Sequence, residues 1–420
     1  MKKEITVGVV GVLRGMGFAK NAKISGMKLV ALCDTWEEKL TSADVGDDVA
    51  RYTNYDEFLT HEMDAVILAN YFDEHAPFAV KALRCGKHVM SETASNSSVA
   101  EGIELCEAVE DTGLIYMLAE NYCYTRFSQE IRRLYQSGEL GEVRYAEGEY
   151  NHPLSPDERL RLSPGYGHWR NHLPPSCYCT HAMSPLMYIT ECMPVMVNGL
   201  NISAPEVNRR TAAVGDPGYV TLCRMDNGAV FRLFGLVMPG HSNWYRIHGT
   251  GGAAEITRGP GYFGPEQIRV WHEQWNRPED TGVPRDRTYS PDWPLHAELA
   301  EQAGHGGGDF WVEYHFAEAI ASGKQPFLDV YRGVTMSTVG ILSMRSAKKQ
   351  GAPIEMPIFR DKRKREKYRD DTERIFSDPD DRELLGQNTL DAGTRSHAED
   401  FWRENGLLKD SAPPVSPGIQ

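Results

Sequence analysis

The chain has no long apolar run, no basic excess and no paired-cysteine motif, and each absence removes a class of function. No stretch of its 420 residues is long enough and apolar enough to span a bilayer, so no membrane partner is expected. Asp and Glu number 59 against 45 Lys and Arg, a net charge of −14. Nucleic-acid phosphates need a basic surface, so that partner is not expected either. Eight cysteines are scattered without a CxxC, and the lone CxC, Cys177 and Cys179, carries little weight. Free buried thiols in a reducing cytoplasm are the expectation. Met1-Lys2-Lys3 could open a leader, but the apolar run behind it is short, holds Gly8 and Gly11 and lacks a small-residue cleavage site. It reads as a first strand. There is no internal repeat, and small-molecule chemistry is the default.

What is present begins with that strand. Residues 5–10 are apolar and rich in β-branched side chains, and they break at Gly11-Val12-Leu13-Arg14-Gly15-Met16-Gly17. A helix-compatible stretch follows over 18–22, then a second apolar run over 28–33 that ends in Asp34. Strand, glycine turn, helix, strand and a terminal acid about 20 residues on is the order a dinucleotide site requires. Gly11 fits the first glycine of that pattern. Leu13 and Met16 stand where further small residues are usual, with Gly15 and Gly17 supplying openness in a shifted turn. Gly11, Leu13, Arg14, Gly15 and Met16 are therefore expected at the cofactor, and Asp34 at its adenosine ribose. An ordinary glycine-rich strand-to-helix turn is the alternative. Asp34 has no Arg or Lys beside it, and its carboxylate would repel a 2′-phosphate, so NAD is expected rather than NADP.

Alternating strands and helices continue to about residue 120, with buried-type strands over 64–69, 87–90 and 114–119 and helices over 76–85 and 98–112. That pattern predicts a doubly wound parallel sheet with ligands at its carboxyl ends. From about 140 the texture changes to period-two alternation over 141–150, 219–225 and 229–237, the last two joined at Asp226-Asn227-Gly228. A further pair spans 243–248 and 253–257. These predict an α+β domain with a large, mostly antiparallel open sheet. Between them, 151–176 reads as a long Pro/Gly/His-rich loop of functional length. Late helices are expected over 310–322 and 334–349. The division expected is a dinucleotide domain over 1–122, a substrate-binding and oligomerisation domain over 123–358, and a charged arm over 359–420 that covers the surface or clasps a neighbour.

The stretch Gly86-Lys87-His88-Val89, followed by Glu92, and the stretch Tyr135-Gln136-Ser137-Gly138-Glu139-Leu140-Gly141-Glu142-Val143 bring a family into view. Residues 5 to about 355 resemble the Gfo/Idh/MocA oxidoreductases, which implies an N-terminal Rossmann domain, an open-sheet second domain, and pairing of those sheets into dimers or tetramers. Typical members continue Glu-Lys-Pro, with a lysine that positions substrate and moves protons. Here Thr93 and Ala94 follow Glu92, so that lysine is absent.

Three further stretches resemble a side branch, the NAD-dependent glycosidases typified by α-N-acetylgalactosaminidases. They are Glu120-Asn121-Tyr122-Cys123-Tyr124, Tyr178-Cys179-Thr180-His181-Ala182-Met183-Ser184-Pro185 and Gly304-His305-Gly306-Gly307-Gly308-Asp309. The resemblance implies a redox cycle on a sugar or glycoside. NAD takes hydride from a carbon, usually C3, and the ketone acidifies the C2 proton. The C1 substituent then leaves, water adds, and the ketone is reduced back. Ordinary glycosidases need paired carboxylates, and this cycle does not. A net dehydrogenase releasing a 3-keto product, or a non-catalytic NAD-binding regulator, are the rival readings.

Roles follow from that chemistry. His181 is the expected base, because imidazole titrates near neutrality, with a core histidine as the alternative. Tyr124 is expected to pass the C2 proton if its pKa is lowered, or else to pack. Tyr178, Tyr166 and Arg170 are expected to orient substrate, and Glu92 to lie near the nicotinamide ribose or the substrate. His305 and Asp309 either bond sugar hydroxyls or, for Asp309, cap the helix that follows. Asn70, His75 and Asn121 are expected over the cofactor. His152, His168, His172 and His181 with the two nearby cysteines meet no standard metal-ligand spacing, so no metal is expected.

Overall fold

The computed structural model describes residues 4–163, 168–211, 215–258, 267–276, 284–375 and 403–404. The apolar runs of the first part pair as six parallel strands: β1 (Ile5–Val10), β2 (Met27–Cys33), β3 (Ala50–Tyr52), β4 (Ala65–Leu68), β5 (His88–Ser91) and β6 (Tyr116–Leu118). Their order is β3-β2-β1-β4-β5-β6, which reverses between β1 and β4 and opens a crevice at the carboxyl ends there. Every residue of β4 is buried, as helices on both faces of a parallel sheet demand.

The second sheet has nine strands: β7 (Val143–Asn151), β8 (Pro194–Ile202), β9 (Gly218–Met225), β10 (Val230–Leu236), β11 (Ser242–Gly249), β12 (Ala253–Ile256), β13 (Ile268–Trp271), β14 (Asp286–Tyr289) and β15 (Ile354–Glu355). In the order β14-β13-β12-β11-β7-β10-β9-β8-β15, only β7 and β10 run parallel. One face of this sheet carries the helix Thr180–Thr190, and Gly148 on β7 sets how closely. A Cβ at Gly148 would lie 2.0 Å from the carbonyl oxygen of Ala182, so only glycine lets that helix sit down on the strand. The outer face is different. Leu200, Val220 and Phe234 form a cross-strand apolar row, and Leu200 and Leu222 are 56% and 42% exposed.

One expectation needs correction. The 151–176 loop contains the helices Pro156–Leu162 and Trp169–His172 and a tight turn over Pro175–Tyr178. The first is announced by Ser155 and Glu158, a reciprocal capping box, with Pro156 in its first turn. Over its described part, 359–375, the arm packs on the body of the protein. Arg365 is buried and grips Glu110 of the helix Val99–Thr112 with two bonds of 2.6 and 2.7 Å, and Arg345 holds Asp371 at 2.7 and 2.6 Å. The chain thus straps its second domain back to its first.

Arg365 holds the Glu110 carboxyl down to about 2 against the opposing effect of burial. Losing Arg365 leaves Glu110 with Lys362 at 3.0 Å and the Tyr331 hydroxyl at 2.7 Å, so Arg365→Ala is expected to cost about 2 kcal/mol in urea denaturation at neutral pH. A depressed carboxylate stabilises above its ordinary value of 4.5, and the contribution fades as pH falls toward 2. The difference between wild type and variant should shrink over that window, and a constant difference would remove Glu110 from the account.

Candidate active site

The crevice at the carboxyl ends of β1, β4, β5 and β6 faces the second domain, and its floor is the glycine turn. Gly11 has φ +92, and a Cβ there would lie 2.3 Å from the Ala69 carbonyl oxygen, so the turn closes directly on the end of β4. Leu13 is exposed, Met16 is half-buried, and Gly15 opens the helix Gly15–Asn21. Asp34, at the end of β2, accepts from the backbone N–H of Val12 and of Trp36, both at 2.8 Å. Several buried polar atoms beyond these strands have no partner: both amide atoms of Asn70, Nε2 of His75 and Oδ1 of Asn121. His75 bonds the Ala94 carbonyl through Nδ1 at 2.9 Å, and burial lowers its pKa, so Nε2 is a bare acceptor. Each unmet group costs about 1–3 kcal/mol, which a polar ligand in the crevice would offset. The residues present fit a dinucleotide.

Arg14 links the turn to everything around it. Its Nε reaches Glu92 at 2.5 Å, while its two terminal nitrogens reach Asp309 at 2.8 and 3.1 Å. Asp309 also accepts from Asn121 Nδ2 and bonds His305 Nδ1, both at 2.9 Å. Burial works against the Asp309 charge, but His305 and Arg14 outweigh it and hold the carboxyl far below its usual range.

Across the crevice stands a dyad. Glu120 follows β6 and is fully buried. It meets His181 Nδ1 at 2.6 Å and accepts from Ser184 Oγ at 2.9 Å. A carboxylate at Nδ1 keeps the proton there and leaves Nε2 as the accepting nitrogen. Tyr245 donates to the His181 carbonyl at 2.8 Å and fixes the start of the helix. Three tyrosine rings surround the imidazole: Tyr150 at 4.5 Å, Tyr122 at 4.7 Å and Tyr178 at 5.0 Å between centroids. Tyr150 reaches it because it shares the Gly148 face of β7, two residues on. Burial raises the Tyr178 phenol, which stays protonated and can donate. Tyr150 and Tyr178 also wall a cavity of about 770 Å³, mouth included, that extends under Arg170 and Arg159.

Residues 5–120 match the oxidoreductase family described by its NAD-binding Rossmann fold, and residues 238–365 match the glycosyl hydrolase 109 C-terminal domain. The chain joins a Rossmann domain of the Gfo/Idh/MocA oxidoreductase family to a glycosyl hydrolase 109 C-terminal domain. A glycosyl hydrolase family 109 protein from Solibacter usitatus is 26% identical over 394 residues, 84% of this chain and 88% of that relative. Glycosyl hydrolase family 109 protein 1 from Bacteroides fragilis is 27% identical over 409 residues, 84% and 85% of the two chains. In fold, levoglucosan dehydrogenase in complex with NADH and levoglucosan superposes with a TM-score of 0.70 at 19% identity, covering 84% of this chain and all of that one.

Around this site several sequence expectations move. Tyr124 is not in the cluster. It is 1% exposed, its ring packs on His315 at 4.8 Å and Tyr188 at 5.2 Å, and burial pushes its phenol well above the usual range instead of lowering it. Tyr122 stands in its place. Asp309 is neither a helix cap nor open to a sugar. The helix begins at Gly308 with Gly307 in the cap position, and the 2% exposed carboxylate is taken by three side chains. Arg14, expected at the cofactor, spends its nitrogens on Glu92 and Asp309 and acts as a positioning residue. Thr93, where typical members carry lysine, is buried with its hydroxyl 2.6 Å from that of Thr180. Tyr166 lies outside the described residues. Arg170 sits over the Trp169 ring at 4.5 Å and the Tyr178 ring at 5.9 Å. Among the described residues, no group of three His, Cys, Asp or Glu side chains is arranged to hold a metal. His168 instead accepts from the Arg170 backbone at 3.3 Å, and burial pushes the Cys177 thiol up to about 12.

Three site residues escaped the sequence reading: Glu120, Tyr122 and Tyr150. Glu120 did carry a signal, an acid placed straight after a buried strand. Tyr150 closes an alternating strand at the point where the chain enters the 151–176 segment.

Proposed function

We propose that this protein cleaves glycosides by transient oxidation of a sugar hydroxyl, C3, with His181 as the base and NAD as the resident cofactor. The carrying observation is the Glu120–His181 dyad inside an aromatic enclosure at the mouth of a Rossmann crevice. Gly11, Gly15, Asp34, Asn70, His75 and Asn121 would hold NAD, which supplies reversible removal of hydride from a sugar carbon. His181 takes the hydroxyl proton through Nε2, and the Glu120 carboxylate stabilises the imidazolium that forms. Tyr178 donates to a sugar oxygen. Tyr122 and Tyr150, flanking the imidazole, take over the C2 proton transfer that Tyr124 is too deeply buried to perform. Thr93 supports the same division of labour: a threonine tied to Thr180 offers no base, so the imidazole must act.

Turnover of a chromogenic glycoside in deuterium oxide, with absorbance at the NADH band followed in parallel, tests this. Aglycone release with deuterium at C2 and no net NADH is the expected result. NADH accumulating one-for-one with substrate identifies a net dehydrogenase, and aglycone release without C2 exchange rules out elimination.

We infer further that two or more copies associate through the outer face of the nine-stranded sheet, where Leu200, Val220 and Phe234 form an apolar row. The double variant Leu200→Asp, Leu222→Asp is expected to convert a dimer or tetramer to monomer in light scattering. An unchanged mass would move the interface elsewhere.

A further inference from the structure

The cavity beside the dyad is lined by two arginines, neither of which is ion-paired to an acid among the described residues. Arg159, on the helix Pro156–Leu162, is 4% exposed, and its one recorded bond runs from Nε to the Thr211 carbonyl at 2.7 Å. Arg170 keeps a buried Nε without a partner and rests against Trp169 and Tyr178. Neither forms an ion pair among the described residues. Burial, helped by the like charge of Arg170, pulls Arg159 down to about 10, so it remains cationic at neutral pH. One acid lines the same cavity, Asp216, which accepts from Asn201 at 3.2 Å. His152 adds a ring whose pKa burial lowers, and which is neutral at pH 7. The described lining therefore holds two guanidiniums against one carboxylate.

A buried cation without a counter-ion is expensive, and proteins rarely keep one idle. Guanidinium is the side chain best shaped to hold a carboxylate or a sulfate through paired bonds. The cavity shares Tyr150 and Tyr178 with the enclosure around His181, so a sugar ring at the dyad would direct a substituent into it. We propose that Arg159 and Arg170 form a subsite for an anionic group of the glycoside, so that the substrate is a uronide or a sulfated sugar. This rests on the proposed function, and it names the class of sugar that reading leaves open.

The test is calorimetric binding to the full-length, NAD-loaded protein at low salt. The probes are matched methyl glycosides of the gluco and galacto series, each as neutral sugar, uronide and 6-sulfate. The expected result is binding of at least one anionic form about tenfold or more tighter than its neutral partner. A carboxylate preference and a sulfate preference identify the uronide and the sulfated sugar respectively. In Arg159→Gln, and independently in Arg170→Gln should the buried variant not fold, that advantage should drop to about twofold or less. Equal binding of neutral and anionic forms overturns the subsite and leaves the proposed function standing, as does a preference that survives both substitutions. Binding of no glycoside in either series overturns both.

Discussion

His181→Ala is expected to lower glycoside turnover by about three orders of magnitude while the purified protein keeps its NAD. General-base catalysis by a positioned imidazole contributes about 10²–10⁴-fold, and in the proposed cycle no neighbouring group substitutes for it. Thr93 is locked to Thr180, Tyr124 packs away from the cluster, and Tyr178 is held protonated by burial. The imidazole is no part of the glycine turn or of the Asn70, His75 and Asn121 group expected to hold NAD, so NAD content, read from absorbance after denaturation, should not change. Glu120→Gln keeps the volume and a bond to Ser184 but can no longer hold the Nδ1 proton in place as a carboxylate does. It should lose most of the same activity, again with NAD retained. Wild-type turnover in His181→Ala would take residue 181 out of the chemistry, and joint loss of NAD and activity would make it structural.

The second large effect is expected at Asp309. Asp309→Ala removes the carboxylate that Arg14, Asn121 and His305 share, and it leaves the half-buried Arg14 with Glu92 alone. Breaking a buried ion pair from one side costs about 3–5 kcal/mol, enough to shift the urea midpoint of a chain this size by an easily measured amount. NAD affinity should fall with it, because Arg14 belongs to the glycine turn and Asn121 lines the same crevice. The pH dependence has a definite sign. A carboxyl depressed in the folded state stabilises above its ordinary value of 3.8, and that contribution is lost as pH falls below it. Wild type and variant should therefore converge in strongly acidic solution. An Asp309→Ala protein with unaltered stability at pH 7 would show that Arg14 and His305 find other partners.

The N-terminal half was legible because its chemistry is local. A β-branched run, Gly11, and Asp34 at the end of the next strand stand within about one supersecondary unit of each other, and the helix Val99–Thr112 begins at a Ser98 cap and stops at Gly113. The alternating strands of the second domain were legible for the same reason. The dyad was half legible. His181 stood out as an imidazole in a motif, but its carboxylate lies 61 residues away and reaches it only through packing between domains. Tyr122 and Tyr124 part on local geometry. Both lie in a single 3₁₀ turn, Tyr122–Tyr124, and with three residues per turn two such neighbours point to different sides. One enters the site and the other enters the core. Asp309 was misread because capping rules look only at adjacent residues, whereas its guanidinium partner is 295 positions distant.

The two halves of the dyad come from different domains, Glu120 from the Rossmann sheet and His181 from the helix seated on Gly148. Any hinge motion that parted those domains wide enough to exchange a dinucleotide would also strip the imidazole of its counter-charge, and would break the Thr93–Thr180 and Arg14–Asp309 bridges in the same stroke. On the proposed mechanism, a chain wired in this way is inert whenever it gapes. It can work only while clamped around its passenger, so one molecule of cofactor should stay aboard through many rounds and be recycled in place.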